Sequence, residues 1–152
     1  MITVRHAKFK ELEIITDFQI KMARETEDLD LDQSVVEAGV EAVFEDAAKG
    51  IYYVAVNEKE EVLGCLMTTD EFSDWRNGTV IWIQSVYVKP EARKQGVFKA
   101  LYQHIKDLVV DEEAYKGLRL YVEGHNITAQ RAYINLGMTS DHYKMYEWMK
   151  EK

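Results

Sequence analysis

Proline and cysteine are almost absent from this chain, whose 152 residues hold one of each. With Pro90 alone and eight unclustered glycines, no linker or disordered tail is visible. With Cys65 alone, an intramolecular disulfide is excluded, which fits a reducing compartment. Long apolar runs are missing too: none approaches the roughly 20 residues of a membrane-spanning helix. The opening Met1-Ile2-Thr3-Val4-Arg5-His6 has no signal-peptide core. Cations are in the minority, 19 Lys and Arg against 27 Asp and Glu, for a net charge of −8. That balance argues against binding nucleic acid through its phosphates. A local loop of backbone amides does not depend on net charge, so a phosphate-bearing small molecule stays open. The expectation is a soluble cytoplasmic protein with neither nucleic acid nor membrane as partner, and no metal.

What is present suits one domain over 1–152, since 47% of the residues are hydrophobic. Ile2 to Arg5 predicts a short strand. Phe9 to Ala23 predicts a helix, with Leu12, Ile15, Phe18 and Met22 at helical spacing. The acidic stretch Glu25 to Asp32 breaks that pattern. Ser34-Val35-Val36-Glu37 has the form of a capping box opening a second helix, whose buried stripe is Val36, Val40, Val43 and Ala47. Ile51 to Val56 and Val62 to Thr69 read as a hairpin around the polar turn Asn57 to Glu60. Val80 to Val88 is the most apolar strand, expected to be central and covered on both faces. Gly96 to Val110 is a helix with Phe98, Leu101, Ile105 and Leu108 on one stripe. Leu118 to Glu123 is a strand. Asn126 caps a short helix with Ala129, Ala132, Tyr133 and Leu136 inward and Gly137 after its end. His142 to Trp148 closes the chain as a last strand.

Two segments carry chemistry. In the first, Arg93-Lys94-Gln95-Gly96-Val97-Phe98-Lys99 follows a buried strand and opens a helix. Such a turn presents free N–H groups to an anion, and the helix dipole adds partial positive charge. Gly96 allows close backbone approach, and Arg93, Lys94 and Lys99 add cations. On the residues alone, this is also simply a basic helix start with a permissive glycine. It is neither a Walker loop, lacking Gly-Lys-Ser/Thr, nor a Rossmann fingerprint, having one glycine. In the second segment, Asn126 and Tyr133 lie seven residues apart, two helical turns, and so share a face. They also read as a helix cap and a core ring.

The two segments, in this order and on these elements, resemble the coenzyme A site of the GNAT superfamily of N-acetyltransferases. The element order of the chain is similar to that fold throughout. The resemblance implies an α/β (α+β layered) fold: a mixed, splayed central sheet of six to seven strands with four helices on its two faces. It implies acetyl-CoA as co-substrate and a small-molecule amine or peptide amine as acceptor, and it admits a homodimer. The family's Arg or Gln, with Gly three residues on, is matched by Arg93 and Gly96. Phe98 stands where the family usually has a small residue. The implied coenzyme-binding residues are Val86, Tyr87, Val88, Arg93, Lys94, Gln95, Gly96, Val97, Phe98, Lys99 and Asn126. Val86 to Val88 would pair their backbone with the pantetheine arm, given a bulge near Gln84-Ser85 that splays the sheet. A phase slip hints at it: Ile81 and Ile83 are odd, Val86 and Val88 even.

Tyr133 is implied to be catalytic, a phenol beside the sulfur. A thiolate leaving group has a pKa of about 8.5, and a phenol of about 10 can protonate it. The base that some family members carry five residues before the Asn is here Tyr121. Gln84, Glu123, His125 and His142 remain candidates. Acceptors in the family enter near the first two helices, where five carboxylates stand in the eight residues Glu25 to Asp32. Glu25, Glu27, Trp75, Gln84 and Glu123 are the candidate acceptor-side residues. The acidic run suits a cationic amine and equally suits a solvated loop. Cys65 lies in an apolar run without a His partner motif, so direct transfer in a ternary complex is expected rather than a covalent acetyl-enzyme. The alternative is a non-catalytic acyl-CoA-binding or regulatory module on the same fold.

Overall fold

Strand pairing builds the first part of the chain outward from β4, and helices cover both of the sheet's faces. The computed structural model describes residues 1–151, which fall into two compact units, 1–120 and 121 onward. In the first unit, the strands β1 (Thr3–His6), β2 (Ile51–Val56), β3 (Val62–Ser73), β4 (Gly78–Val88) and β5 (Tyr115–Arg119) form one sheet in that spatial order. Pairing is antiparallel from β1 to β4 and parallel between β4 and β5. The helices are α1 (Leu12–Glu27), α2 (Gln33–Glu45) and α3 (Val97–Asp111). Among the described residues no helix is long and apolar enough to cross a membrane.

Alternation along β2 assigns the faces. Tyr52, Val54 and Val56 join Ile15 and Phe18 of α1, Val40 of α2, and Cys65 and Tyr87 in one buried cluster. On the opposite face Tyr53 packs its ring against His104 of α3, with ring centroids 5.5 Å apart. Val97, Leu101 and Ile105 of α3 are fully buried or nearly so. Gly64 brings α3 close: a Cβ there would stand 2.7 Å from the Tyr87 carbonyl oxygen and 3.2 Å from Val97.

The sheet has five strands, not six to seven. The segment His142 to Trp148 carries strand-like composition, yet it is exposed and forms no strand. A strand exists only through a partner's hydrogen bonds, and composition does not supply one. The parallel strand lies at Tyr115–Arg119 rather than Leu118 to Glu123. Helix α1 continues through Glu25 and Glu27, because glutamate is a good helix former, unlike aspartate. It stops at Asp28, whose φ of 51° is left-handed. The cap of α2 is Asp32, which accepts from the Ser34 and Val35 amides, in place of Ser34. That helix ends at Glu45, so Ala47 lies outside it and is exposed. There the Asp46 carboxylate accepts from the Ala48 amide.

In the second unit, α4 (Ile127–Asn135) is capped by Asn126, whose Oδ1 accepts from the Ala129 amide at 3.2 Å. Its end is closed by Gly137, φ 93°, with the Gly137 amide donating to Ile134 O and the Met138 amide to Tyr133 O. This pair of bonds is the Schellman arrangement, and it needs the left-handed residue that glycine provides.

Candidate functional site

β4 changes phase past its last β5 partner. Ile83 pairs with Thr68 and Tyr87 with Cys65. Those β3 partners are three residues apart and so face opposite ways. Ile83 and Tyr87 are four apart and would face the same way in a regular strand. The register slips between Cys65 and Met67, with Ser85 at a left-handed φ of 56°. This is a β-bulge, and it lies where the odd-to-even slip in the sequence points. The Cys65 thiol donates to the Ser85 carbonyl, Sγ to O 3.6 Å, and accepts from the Gln19 side-chain amide at 3.7 Å.

Pairing with β5 ends at Trp82–Arg119, so β4 runs on from Ile83 to Val88 beyond its last β5 partner. The strand then turns through a short 3-10 segment, Pro90–Ala92, into the loop that starts α3. Two loop residues are left-handed, Lys94 at φ 65° and Gly96 at φ 83°. The lysine there carries a strain of about 1–2 kcal/mol. Gly96 is the N-cap of α3, and no side chain caps its amides. The first-turn amides of a helix have no partner within the helix, so those of α3 face outward with the dipole behind them. Val97 turns into the core, while the Phe98 ring contacts Tyr102 at 6.2 Å. Lys94 and Lys99 are exposed, and the Gln95 side chain donates back to the Glu91 carbonyl at 3.0 Å.

Arg93 is anchored at both ends. Its Nε donates to the Val88 carbonyl at 2.9 Å and its Nη2 to Glu25 at 2.7 Å. The guanidinium lies over the Tyr87 ring, 5.4 Å from the centroid. The Tyr87 hydroxyl donates to the other Glu25 oxygen at 3.0 Å. Burial, then the hydrogen bond and charge of Glu25, push the Tyr87 hydroxyl up to about 12. The structure thus brings Glu25, Tyr87, Val88 and Arg93 together. Val86 and Val88 are half-buried on either side of Tyr87. Gln84 and Trp82 are half-buried on β4, Trp75 is exposed in the β3–β4 turn, and Glu27 is exposed at the end of α1.

In the second unit, Asn126 caps α4 and Tyr133 lies half-buried on the same helix. Burial raises the Tyr133 hydroxyl above its ordinary value, which keeps it protonated at neutral pH. The Glu123 carboxylate holds His125 by the main-chain amide at 2.8 Å and by Nδ1 at 3.0 Å, and the His125 bonds lower its pKa. His142 is exposed. Among the described residues no cluster of His, Cys, Asp and Glu could hold a metal ion.

Sequence reasoning missed the two contacts that join Glu25 to β4 and to the loop, and the thiol bond behind Ser85. The mismatch of a carboxylate in the last turn of a helix, against the dipole, was the available signal for the first.

A mixed five-strand sheet, antiparallel except at its β4–β5 edge, whose bulged strand leads to the uncapped start of α3, defines the class. Residues 15–138 match the family model described as Acetyltransferase (GNAT) family. A crystal structure of a possible acetyltransferase from Clostridium difficile 630 is similar along the whole chain: 41% identity, TM-score 0.92, covering 100% of this chain and 99% of that one. A probable acetyltransferase shares the fold at 22% identity and TM-score 0.85, covering 99% of each chain. So does a predicted acetyltransferase with acetyl-CoA from Clostridium acetobutylicum, at 12% identity and TM-score 0.75, covering 97% and 96%. No curated protein matches. The chain belongs to the GNAT acetyltransferase family.

Proposed function

We propose that residues 1–152 form a single acetyltransferase domain that moves the acetyl group of acetyl-CoA to a primary amine by direct transfer in a ternary complex. The observation that carries this is the run of β4 beyond its last β5 partner, leading through a short turn to the uncapped start of α3. A strand edge with unpaired main-chain groups suits the amide-rich pantetheine arm. The amides after Gly96 suit the pyrophosphate, with Lys94 and Lys99 beside them. Acetyl-CoA supplies an acetyl thioester, and the chain's residues orient it and manage protons.

An amine of pKa about 10.4 is mostly protonated at neutral pH and must lose a proton before it attacks. Glu123, His125 and His142 are the groups proposed to accept it, directly or through water, and Gln84, which has no basic site, is proposed to orient such a water. The amine nitrogen then bonds to the thioester carbonyl carbon. The C–S bond breaks, the sulfur leaves as a thiolate that the Tyr133 hydroxyl is proposed to protonate, and the proton still carried by the attacking nitrogen is proposed to return to the Tyr133 oxygen. Asn126 is proposed to bind the coenzyme arm. Direct transfer is supported by Cys65, which is fully buried, with burial pushing its thiol up to about 12. Such a thiol is a poor nucleophile. The acidic end of α1, with Glu27 and Asp28, together with Asp30 and Asp32, favours an acceptor that carries further positive charge.

The test is a screen of amines, amino acids, aminoglycosides and peptides with acetyl-CoA, reading thiol release and product mass. Turnover with an amine, giving a product with one acetyl on nitrogen, is the expected result. Thermal protection by coenzyme A with no turnover on any acceptor would favour the non-catalytic module instead.

A further inference from the structure

Glu25 is an odd residue to find where it is. It stands in the last turn of α1, where the helix dipole disfavours a negative charge. Each of its carboxylate oxygens is taken: Oε1 by the Tyr87 hydroxyl and Oε2 by Arg93. Arg93 in turn closes the corner from the end of β4 by its bond to the Val88 carbonyl. The next residues, Lys94 and Gly96, take the left-handed conformations that turn the chain into α3. The carboxylate, carried by the last turn of α1, therefore touches two other parts at once: the bulged strand and the first residue of the loop.

We infer that Glu25 is a positioning residue of the coenzyme loop, acting through Arg93 while Tyr87 holds its other oxygen, and not a ligand of the acceptor. This rests on the acetyl-CoA reading proposed above. An arginine whose Nε is held by a carbonyl and whose Nη2 is held by a carboxylate has those donors already committed. Its contribution to the anion site is then the placing of the turn, while the amides and the two exposed lysines meet the anion. A helix end tied to the loop in this way also links movement of α1 to the loop. The Arg93 and Glu25 side chains keep 45% and 39% of their surface, so the link is open to salt.

The test is isothermal calorimetry with coenzyme A on the wild type, Glu25→Gln, Arg93→Ala and the double variant. Steady-state kinetics with the best amine of the screen accompany it. Glu25→Gln should raise the coenzyme A Kd about fivefold, the scale of a partly exposed charge pair. kcat at saturating acetyl-CoA and the KM of the amine should not move. The gap to wild type should narrow in about 0.5 M salt. The double variant should bind no worse than Arg93→Ala, because Glu25 acts through that side chain. An unchanged Kd in Glu25→Gln, or additive losses in the double variant, overturns the inference and leaves the acetyl-CoA reading standing. A raised KM for the amine with an unchanged coenzyme A Kd also overturns it, and assigns the carboxylate to the acceptor. Failure of the wild type to bind coenzyme A overturns both.

Discussion

The thiol of Cys65 donates to the carbonyl oxygen of Ser85, 3.6 Å away, so a buried β3 side chain fills the space behind the residue at which β4 changes phase. A carbonyl in a bulge has left the regular ladder and needs another donor. Cys65 also gives Gln19 an acceptor. Removing the sulfur takes away both bonds and leaves a cavity. Cys65→Ala should lower unfolding stability by about 1–3 kcal/mol, read from urea titration. With its thiol pushed up to about 12, folded protein should resist alkylation at pH 8 and react quickly in urea. Rapid labelling of the native state would show that the thiol is not held as described.

Tyr133 should matter for turnover and not for coenzyme affinity. Tyr133→Phe keeps the ring and loses the proton. kcat should fall by ~10²-fold, the usual scale for a general acid, with the coenzyme A Kd nearly unchanged. An unaltered kcat, measured where chemistry limits the rate, would remove Tyr133 from the proton transfer.

Gly96 combines a left-handed φ of 83° with open space around the position of a Cβ. The Cβ that Gly96→Val adds therefore meets no clash within the protein. It pays in backbone strain, about 1–2 kcal/mol, and fills the approach to the α3 amides. Calorimetry should show coenzyme A binding lost while circular dichroism shows the fold retained. Unchanged affinity in the folded variant would move the anion site elsewhere.

Acid should weaken the protein through Glu11. Its carboxylate is buried, which works to raise its pKa. The Arg5 hydrogen bonds of 2.9 and 2.8 Å and the Lys8 amide outweigh burial, and the net shift is downward from 4.5. A lowered folded pKa gives stability that is present above the unfolded value and lost as pH falls through the folded one. Unfolding free energy should therefore drop below about pH 4.5, and Glu11→Gln should be less stable at pH 7 with a flatter acid limb. An acid limb of unchanged slope in that variant would exclude Glu11 as its source.

Much of this was legible in the residues because it is local. Leu12, Ile15, Phe18 and Met22 repeat at helical spacing, and α1 buries that stripe. Arg93 to Lys99 follow an apolar strand, and α3 starts there. The odd-to-even slip along Ile81, Ile83, Val86 and Val88 marks the Ser85 bulge. What was not legible depends on partners far along the chain. Arg93 and Tyr87 reach Glu25 across 68 and 62 residues, and nothing in a local pattern encodes such a pairing. His142 to Trp148 has the composition of a strand but no ladder. Asp32 outcompeted Ser34 as a cap because either residue type serves, and only the path of the chain decides between them.

The free run of β4 has a cost outside binding. Unpaired strand edges are templates on which other chains grow. Here the stretch beyond the last β5 partner is short, it is bulged at the left-handed Ser85, and Lys89, Arg93 and Lys94 come soon after it. Those traits make it a poor seed for edge-to-edge growth. The bulge that opens the sheet thus also guards it, so a substitution that regularised β4 at Ser85 would be expected to trade away colloidal behaviour along with access.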